Sequence, residues 1–271
     1  GMEMFRRSAQ QDLDKWNSGE LSLYQFKKLF RKNWGNGYAL YKPIFDFINK
    51  NHVPVIGLKP SKKTEDLFRN NNPSDQNNLP KIDFNDRYHR PFSMSIFGGH
   101  QAMEKPYRML LLWEETMAQT VADFLIDPRN INSKLVILTG GFHVQYGFGI
   151  PKRAFRRVPH SYSIVLPTVT ELPAELKDRE MDVQHVSIPL YSGDYAWKLP
   201  YKILPENKVK LGVILENSKN TVRIKSVSAN SNAERAGLKD GDLLLAIDGA
   251  ELNDIEDLTD KLKGLDVGDR A

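Results

Sequence analysis

Apolar residues fall at helical spacing through the opening of the chain. Residues 10–16 and 22–30 form short amphipathic segments, separated by Ser18-Gly19 and followed by Trp34-Gly35-Asn36-Gly37, and Ile44 to Ile48 belongs to a further helix. Val53-Pro54-Val55-Ile56-Gly57-Leu58 then reads as a buried strand. The polar run at residues 69–78 has little to bury and predicts a solvated loop. Residues 104–126 carry the strongest helical pattern, stopped by Asp127-Pro128. Leu135-Val136-Ile137-Leu138 is a continuous apolar run closed by Gly140-Gly141, the pattern of a strand covered on both faces in a parallel sheet, and residues 163–166 follow as the next strand. Helices alternating with buried strands predict an α/β domain, with a mostly parallel central sheet and helices on both faces.

Near Lys208 the pattern changes to short β segments. Leu211-Gly212-Val213-Ile214-Leu215 and the run at residues 222–227 read as strands, Ala233 to Gly237 as a short helix, and Asp248-Gly249 as a tight turn between strands. The turn-prone Leu204-Pro205-Glu206-Asn207 sets the boundary, giving domains over residues 1–206 and 207–271.

Composition narrows the function classes. Hydrophobic residues make up 40% and charged residues 27%, which is ordinary for a folded chain. With no cysteine, disulfides, thiolate catalysis and cysteine-held zinc are excluded. The net charge of +4 is mildly basic, and no basic face interleaved with aromatics points to nucleic acid. No apolar run approaches the roughly 18 residues of a membrane span.

Three groups of residues carry candidate chemistry in the first domain. Thr139-Gly140-Gly141-Phe142-His143 brings a histidine out of the carboxyl end of a strand, where open α/β sheets bind ligands. Pro151 suits the start of a helix whose free amides, with Lys152 and Arg153, would hold a carboxylate or phosphate. Glu114 projects into the apolar arc of Leu110, Met117, Val121 and Phe124, with Glu115 nearer its edge. A carboxylate aimed at a core is costly unless it is paired with a buried arginine, ligates a metal or acts as a base. Glu114 or Glu115, His143 and the helix start at Pro151 are expected to converge at one end of the sheet.

Two family resemblances follow from these residues. The string Ser231–Gly249, with Ala233-Glu234-Arg235-Ala236-Gly237-Leu238 and Asp240-Gly241-Asp242-Leu243-Leu244 before Asp248-Gly249, resembles the PDZ domains of HtrA-type proteases. By that resemblance Leu211, Gly212, Val213 and Ile214 would receive a peptide C-terminus or partner strand, with residues 254–262 as the helical wall of the groove. The family's last strand has no counterpart before Ala271. Glu3-Met4-Phe5, Trp113-Glu114-Glu115-Thr116-Met117-Ala118 and Gly140-Gly141-Phe142-His143-Val144 through Gly149-Ile150-Pro151 resemble, in the same order, the ChaN family within the Tiki superfamily. The likeness runs over residues 2–170. The family's opening Gly-Glu-x-His-Asp strand has no counterpart, so the first domain is expected to lack its N-terminal strand and helix. Glu114 stands where the family often has Asp, and Gly141-Phe142 alters its glycine turn.

The ChaN resemblance implies haem binding in a bacterial envelope protein, periplasmic or lipid-anchored, that serves iron uptake, with a homodimer expected. Haem would be held by Tyr146, His143, Lys152 and Arg153, a tyrosine on the iron and the basic groups on the propionates. Tyr107, Tyr162 and Tyr191 are alternative tyrosines. The superfamily implies a second reading, a metal-dependent hydrolase with a divalent metal on Glu3, Glu114, Glu115 and His143. A third is an adaptor in which only the PDZ module is active. Of these, a non-enzymatic haem-binding protein is the leading reading.

Overall fold

The fold is described from a computed structural model, over residues 1–35, 37–70, 79–96, 104–169, 171, 174, 187–201, 210–219 and 221–262. The chain divides into two compact units, Gly1–Tyr201 and Lys202–Ala271.

The first unit is built around β1 (Met2–Arg6), four of whose five residues are buried. After it come α1 (Gln10–Asn17), α2 (Leu23–Trp34) and α3 (Tyr38–Lys50). Ser22 caps α2 with a complete capping box, its side chain accepting from the Gln25 amide while Gln25 accepts from the Ser22 amide. One face of each helix closes over β1. Phe5, Leu13, Trp16, Phe26, Phe30, Tyr38 and Phe45 form one core, with Trp16 stacked on Phe26 at 3.9 Å.

On one side β1 pairs in parallel with β2 (Gly57–Lys59). The strand expected over residues 53–58 is therefore shorter and shifted toward its end. Pro54 has no N–H for a ladder, and side chains of α1 take the backbone groups instead: Asn17 bonds the Val55 N–H and C=O, and Gln10 accepts from the Gly57 amide. On the other side Leu138 meets Met2 in a single parallel bridge. Residues 135–138 are thus not the doubly covered strand their pattern predicts. Leu135 and Ile137 pack inward, but Val136 is 70% exposed, so this run borders the sheet with one side open to water.

Beyond β2 lie α4 (Lys62–Arg69), α5 (His89–Ile96) and α6 (Glu104–Ile126). The expected long helix has its expected bounds, and Asp127 caps the turn that ends it. α7 (Ile150–Arg157) lies against α6, with Met117, Ala118, Val121, Ile150 and Ala154 forming a second core with Leu58. The two cores together put helices on both faces of a parallel α/β sheet. β3 (Val165–Val169) and β4 (Tyr195–Leu199) form a separate parallel pair. The loop expected over residues 69–78 lies mostly outside the described residues.

The second unit has an antiparallel sheet ordered β5 (Val213–Ser218), β6 (Thr221–Val227), β7 (Leu243–Leu244), with α8 (Asn232–Arg235) after β6. A hairpin of β8 (Ala246–Ile247) and β9 (Ala250–Glu251) leads to α9 (Ile255–Leu262). Asp248 and Gly249 both have positive φ, 48° and 71°, as a two-residue turn of the type matching strand twist requires. Val222, Leu252, Leu258 and Leu262 make the core. The expected boundary at residue 206 and the expected loss of a final strand both fall on residues outside the described set.

Candidate functional site

The floor of the site is a chain of buried polar groups along α6. Glu114 is fully buried, and its position in the apolar arc forces it to find partners inside the protein. Its Oε1 lies 3.1 Å from His143 Nδ1 and its Oε2 lies 2.8 Å from His89 Nε2, with Arg153 Nη1 at 3.4 Å. His143 in turn lies 3.5 Å from Glu3 through Nε2, and His89 Nδ1 lies 3.3 Å from the Tyr107 hydroxyl. Glu3 also accepts from Thr139 Oγ1 at 2.8 Å and from the Gly140 amide at 2.7 Å. Carboxylate and imidazole therefore alternate from the carboxyl end of residues 135–138 to the start of α5.

Electrostatics follow this order. Burial alone would raise the Glu114 carboxyl, but its bonds to His143 and His89 and the nearby charges prevail and pull it to about 2. Glu3, likewise opposed by burial, is pulled to about 2 by His143, Gly140 and Thr139. Burial disfavours the His143 cation, yet Glu114 and Glu3 raise it to about 9, so His143 is an imidazolium at neutral pH.

Glu115 faces a different set of partners. Arg156 reaches its Oε1 at 2.8 Å, Arg157 its Oε2 at 2.7 Å and Arg153 its Oε1 at 3.3 Å. These pairs bolt α7 to α6. Arg153, 1% exposed, also donates to the Phe148 carbonyl at 2.6 Å. The expectation of Arg153 as a surface cation for an anion is corrected by this placement. It lies on the inward face with Ile150 and Ala154, and its charge is spent on two buried carboxylates.

The rim is aromatic, with Tyr88 exposed and Phe92 and Phe148 buried behind it. His143 leads through two short 3-10 turns (Gly141–His143 and Gln145–Gly147) to Tyr146, whose backbone is left-handed at φ 57°, ψ 7° and whose amide donates to the Ser192 carbonyl at 2.9 Å. Tyr146 stacks on Phe148 at 5.5 Å and meets Phe92 edge-on at 5.3 Å, and Tyr88 stacks on the other flank of Phe148 at 6.0 Å. Lys152 Nζ stands 5.7 Å from the Tyr88 ring centre and pairs with Asp86 at 2.7 Å. Asp86, raised by burial, is brought below its ordinary value by Lys152 and by the amides of His89 and Tyr88. Gly149 lets the chain turn tightly into α7, since a Cβ there would stand 2.2 Å from the His143 carbonyl oxygen and 2.9 Å from Glu114 Oε1.

Glu114, His143 and the start of α7 thus do meet at one end of the sheet, whereas Glu115 turns away toward the arginines. His143 is 8% exposed with both ring nitrogens engaged, so it stands beneath the rim, and Tyr146 and Lys152 stand on it. Tyr107 is buried, and burial pushes its hydroxyl up to about 12. Tyr162 and Tyr191 are exposed. Among the described residues no group of three or more His, Asp or Glu side chains is arranged to hold a metal ion. The four residues of the hydrolase reading do not fit a divalent metal: Glu3, His143 and Glu114 are already satisfied by one another, and Glu115 belongs to the arginines. His89, Asp86 and Tyr88 were not anticipated. A buried Glu114 demands a partner, and Arg87-Tyr88-His89-Arg90 held the one usable signal, a histidine preceding an apolar helix.

In the second unit Leu211 and Gly212 lead directly into β5, which contains Val213 and Ile214 and, among the described residues, pairs within its sheet with β6 alone. Ile214 is 58% exposed, and α9 adjoins the strand, its Ile255 amide donating to Asn217 at 2.9 Å. The Leu211 carbonyl accepts from Ala233 and the Gly212 carbonyl from Ser228. Gly212 has φ +83°, and a Cβ there would stand 2.2 Å from Ser231 Cβ, so only glycine fits.

Fold and sites together define a two-module protein: an α/β domain with an aromatic rim over a buried polar network, and a small β module with a strand beside a helix. Residues 1–154 match the family described as haem-binding uptake, Tiki superfamily, ChaN, and residues 209–271 match the PDZ domain. The chain belongs to the ChaN family and carries a PDZ domain. A solved structure titled "Cofacial heme binding to ChaN of Campylobacter jejuni" is similar at 17% identity, over 64% of this chain and 68% of that one, with a TM-score of 0.44. No curated protein matches the chain at a significant level. Among the described residues no helix is long and apolar enough to cross a membrane.

Proposed function

We propose that the first unit binds haem against the wall of Tyr88, Phe92, Tyr146 and Phe148, with the Tyr146 phenol on the iron and the Lys152 ammonium on a propionate. The observation that carries this reading is the left-handed backbone of Tyr146. A bulky residue held at positive φ costs on the order of 1–3 kcal/mol and persists where surrounding structure imposes it. Here the strain sets a phenol among aromatic rings, stacked on Phe148, whose other neighbour Tyr88 carries the Lys152 ammonium over its ring. Haem, when bound, supplies a flat apolar ring, an iron that takes a phenolate oxygen, and two carboxylates. The aromatic wall matches the first, Tyr146 the second and Lys152 the third. His143 acts beneath: its charge is fixed by Glu114 and Glu3, which anchors the turn that presents Tyr146. For the second unit, we propose capture of a peptide C-terminus or partner strand along β5 beside α9, beginning at Leu211 and Gly212. A role in haem and iron uptake at the bacterial envelope, in the periplasm or on a lipid anchor, with a homodimer as the working form, completes the proposal.

Titration with hemin tests it. The expected result is a saturable Soret shift at one haem per chain, weakened about tenfold or more in Tyr146→Phe and several-fold in Lys152→Ala. A Soret band that does not shift on mixing sinks the reading, and an equal affinity in Tyr146→Phe removes that residue from the iron.

A further inference from the structure

The α2–α3 hairpin has two apolar faces where one suffices. The inward face of α3 is occupied by Tyr38, Phe45 and Ile48, all buried in the first core. A second stripe, Leu40, Ile44 and Phe47, stands 58%, 37% and 63% exposed. Its spacing of four and then three residues keeps the three side chains within an arc of about 60° at about 100° per residue. Val53, just past α3, is exposed as well. Contiguous apolar surface of this kind marks a contact surface.

Charge identifies what it contacts. Residues 21–53 contain six basic side chains, Lys27, Lys28, Arg31, Lys32, Lys42 and Lys50, against one acid, Asp46. This net of +5 exceeds the +4 of the whole chain, so the positive charge is concentrated on this hairpin. Lys28 and Lys32 lie one turn apart on the exposed side of α2. Lys50 follows Phe47 by three residues and flanks the stripe at about 60°. Lys42 pairs with Asp46 at 2.6 Å, and Lys28, Lys32 and Lys50 are exposed.

We propose that α2–α3 is a docking surface for an anionic lipid bilayer, with Leu40, Ile44 and Phe47 entering the headgroup boundary and the lysines meeting lipid phosphates. A stripe only two turns long offers little surface to a folded partner, whereas a deformable lipid interface accepts it. Apolar and aromatic residues flanked by lysines are the composition of interfacial helices. The surface lies on residues separate from the haem wall and from β5, and it does not depend on either assignment.

Co-sedimentation of the full chain with vesicles tests this. Binding is expected to vesicles of phosphatidylglycerol and phosphatidylcholine, with at least tenfold weaker binding to phosphatidylcholine alone and loss at 0.5 M salt, on the order expected for several lysines at an anionic surface. Leu40→Ser with Phe47→Ser should lower partitioning about tenfold or more, since each side chain forfeits apolar burial. Lys28→Glu with Lys32→Glu should do the same with an intact apolar stripe. Far-UV circular dichroism and the thermal midpoint check that these exposed substitutions leave the fold unchanged. Equal binding to both vesicle types, no binding to either, or an unaffected Leu40/Phe47 double variant would overturn the proposal. So would a dimer that dissociates in that variant while lipid binding persists, since the stripe would then be covered by a second copy.

Discussion

Glu114→Gln changes one charge at a fully buried position. The amide keeps the shape of the carboxylate but takes one of two carboxylates from each of two cations: His143, 3.1 Å away, keeps only Glu3, and Arg153, 3.4 Å away, keeps only Glu115. Removing one partner of a buried ion pair costs about 3–5 kcal/mol. At about 2–4 °C per kcal/mol for a unit of this size, the transition of the first unit should fall on the order of 10 °C. The pH dependence gives a sharper signature. His143 is raised from 6.5 to about 9, so its contribution is fully present below pH 6.5 and is lost as pH rises through 9. At about 1.4 kcal/mol per pH unit, roughly 3 kcal/mol disappears over that window. Glu114, lowered from 4.5 to about 2, contributes above pH 4.5 and ceases to as pH falls through 2. Without the Glu114 carboxylate only Glu3 still opposes burial, so His143 titrates lower than in the wild type and the variant should decline less steeply above pH 7. Thermal unfolding by circular dichroism from pH 5 to 9, with the His143 ring followed by NMR, measures both. A fall under 2 °C, or a variant that keeps the wild-type slope above pH 7, would refute the network. The exposed pair Arg7–Asp123 provides the contrast: Arg7→Gln should change stability by less than about 0.5 kcal/mol.

Glu115→Ala takes from Arg153 one of its two buried carboxylates and from Arg156 and Arg157 their link to α6, and should destabilise the first unit by about 3–5 kcal/mol in denaturant unfolding. Tyr107→Phe removes only the contact to His89 and should cost about 1 kcal/mol while leaving hemin affinity at the wild-type value by Soret titration. Gly212→Ala places a methyl against Ser231 at positive φ. It should destabilise the second unit by about 2 kcal/mol, read as faster hydrogen exchange of β5 amides with unchanged exchange in the first unit.

Local signals were legible where a stop or a turn coincided with the pattern. The bounds of α6 follow from its apolar spacing and from Asp127-Pro128, and the β8–β9 hairpin follows from Asp248-Gly249. Glu114 stood out because a carboxylate in an apolar arc must be paired. What paired it was not legible: His89 is 25 positions away on another helix, and only the tertiary fold brings it to 2.8 Å. Arg153 was misread because it sits in a run with Lys152, Arg156 and Arg157. Its spacing from Ile150 and Ala154 already placed it on the inward face. Residues 135–138 show the limit of composition, since four apolar side chains do not reveal that one edge is open and that Val136 meets water.

Resonance Raman spectroscopy of the hemin complex tests the central claim most directly, because phenolate modes enhanced by the iron identify a tyrosinate ligand and isotopic labelling assigns it. The wild type and Tyr107→Phe should show these modes, and they should vanish in Tyr146→Phe with the protein still folded. Phenolate modes that persist in Tyr146→Phe, or a wild-type complex without them, would contradict the assignment of haem to the Tyr146 wall.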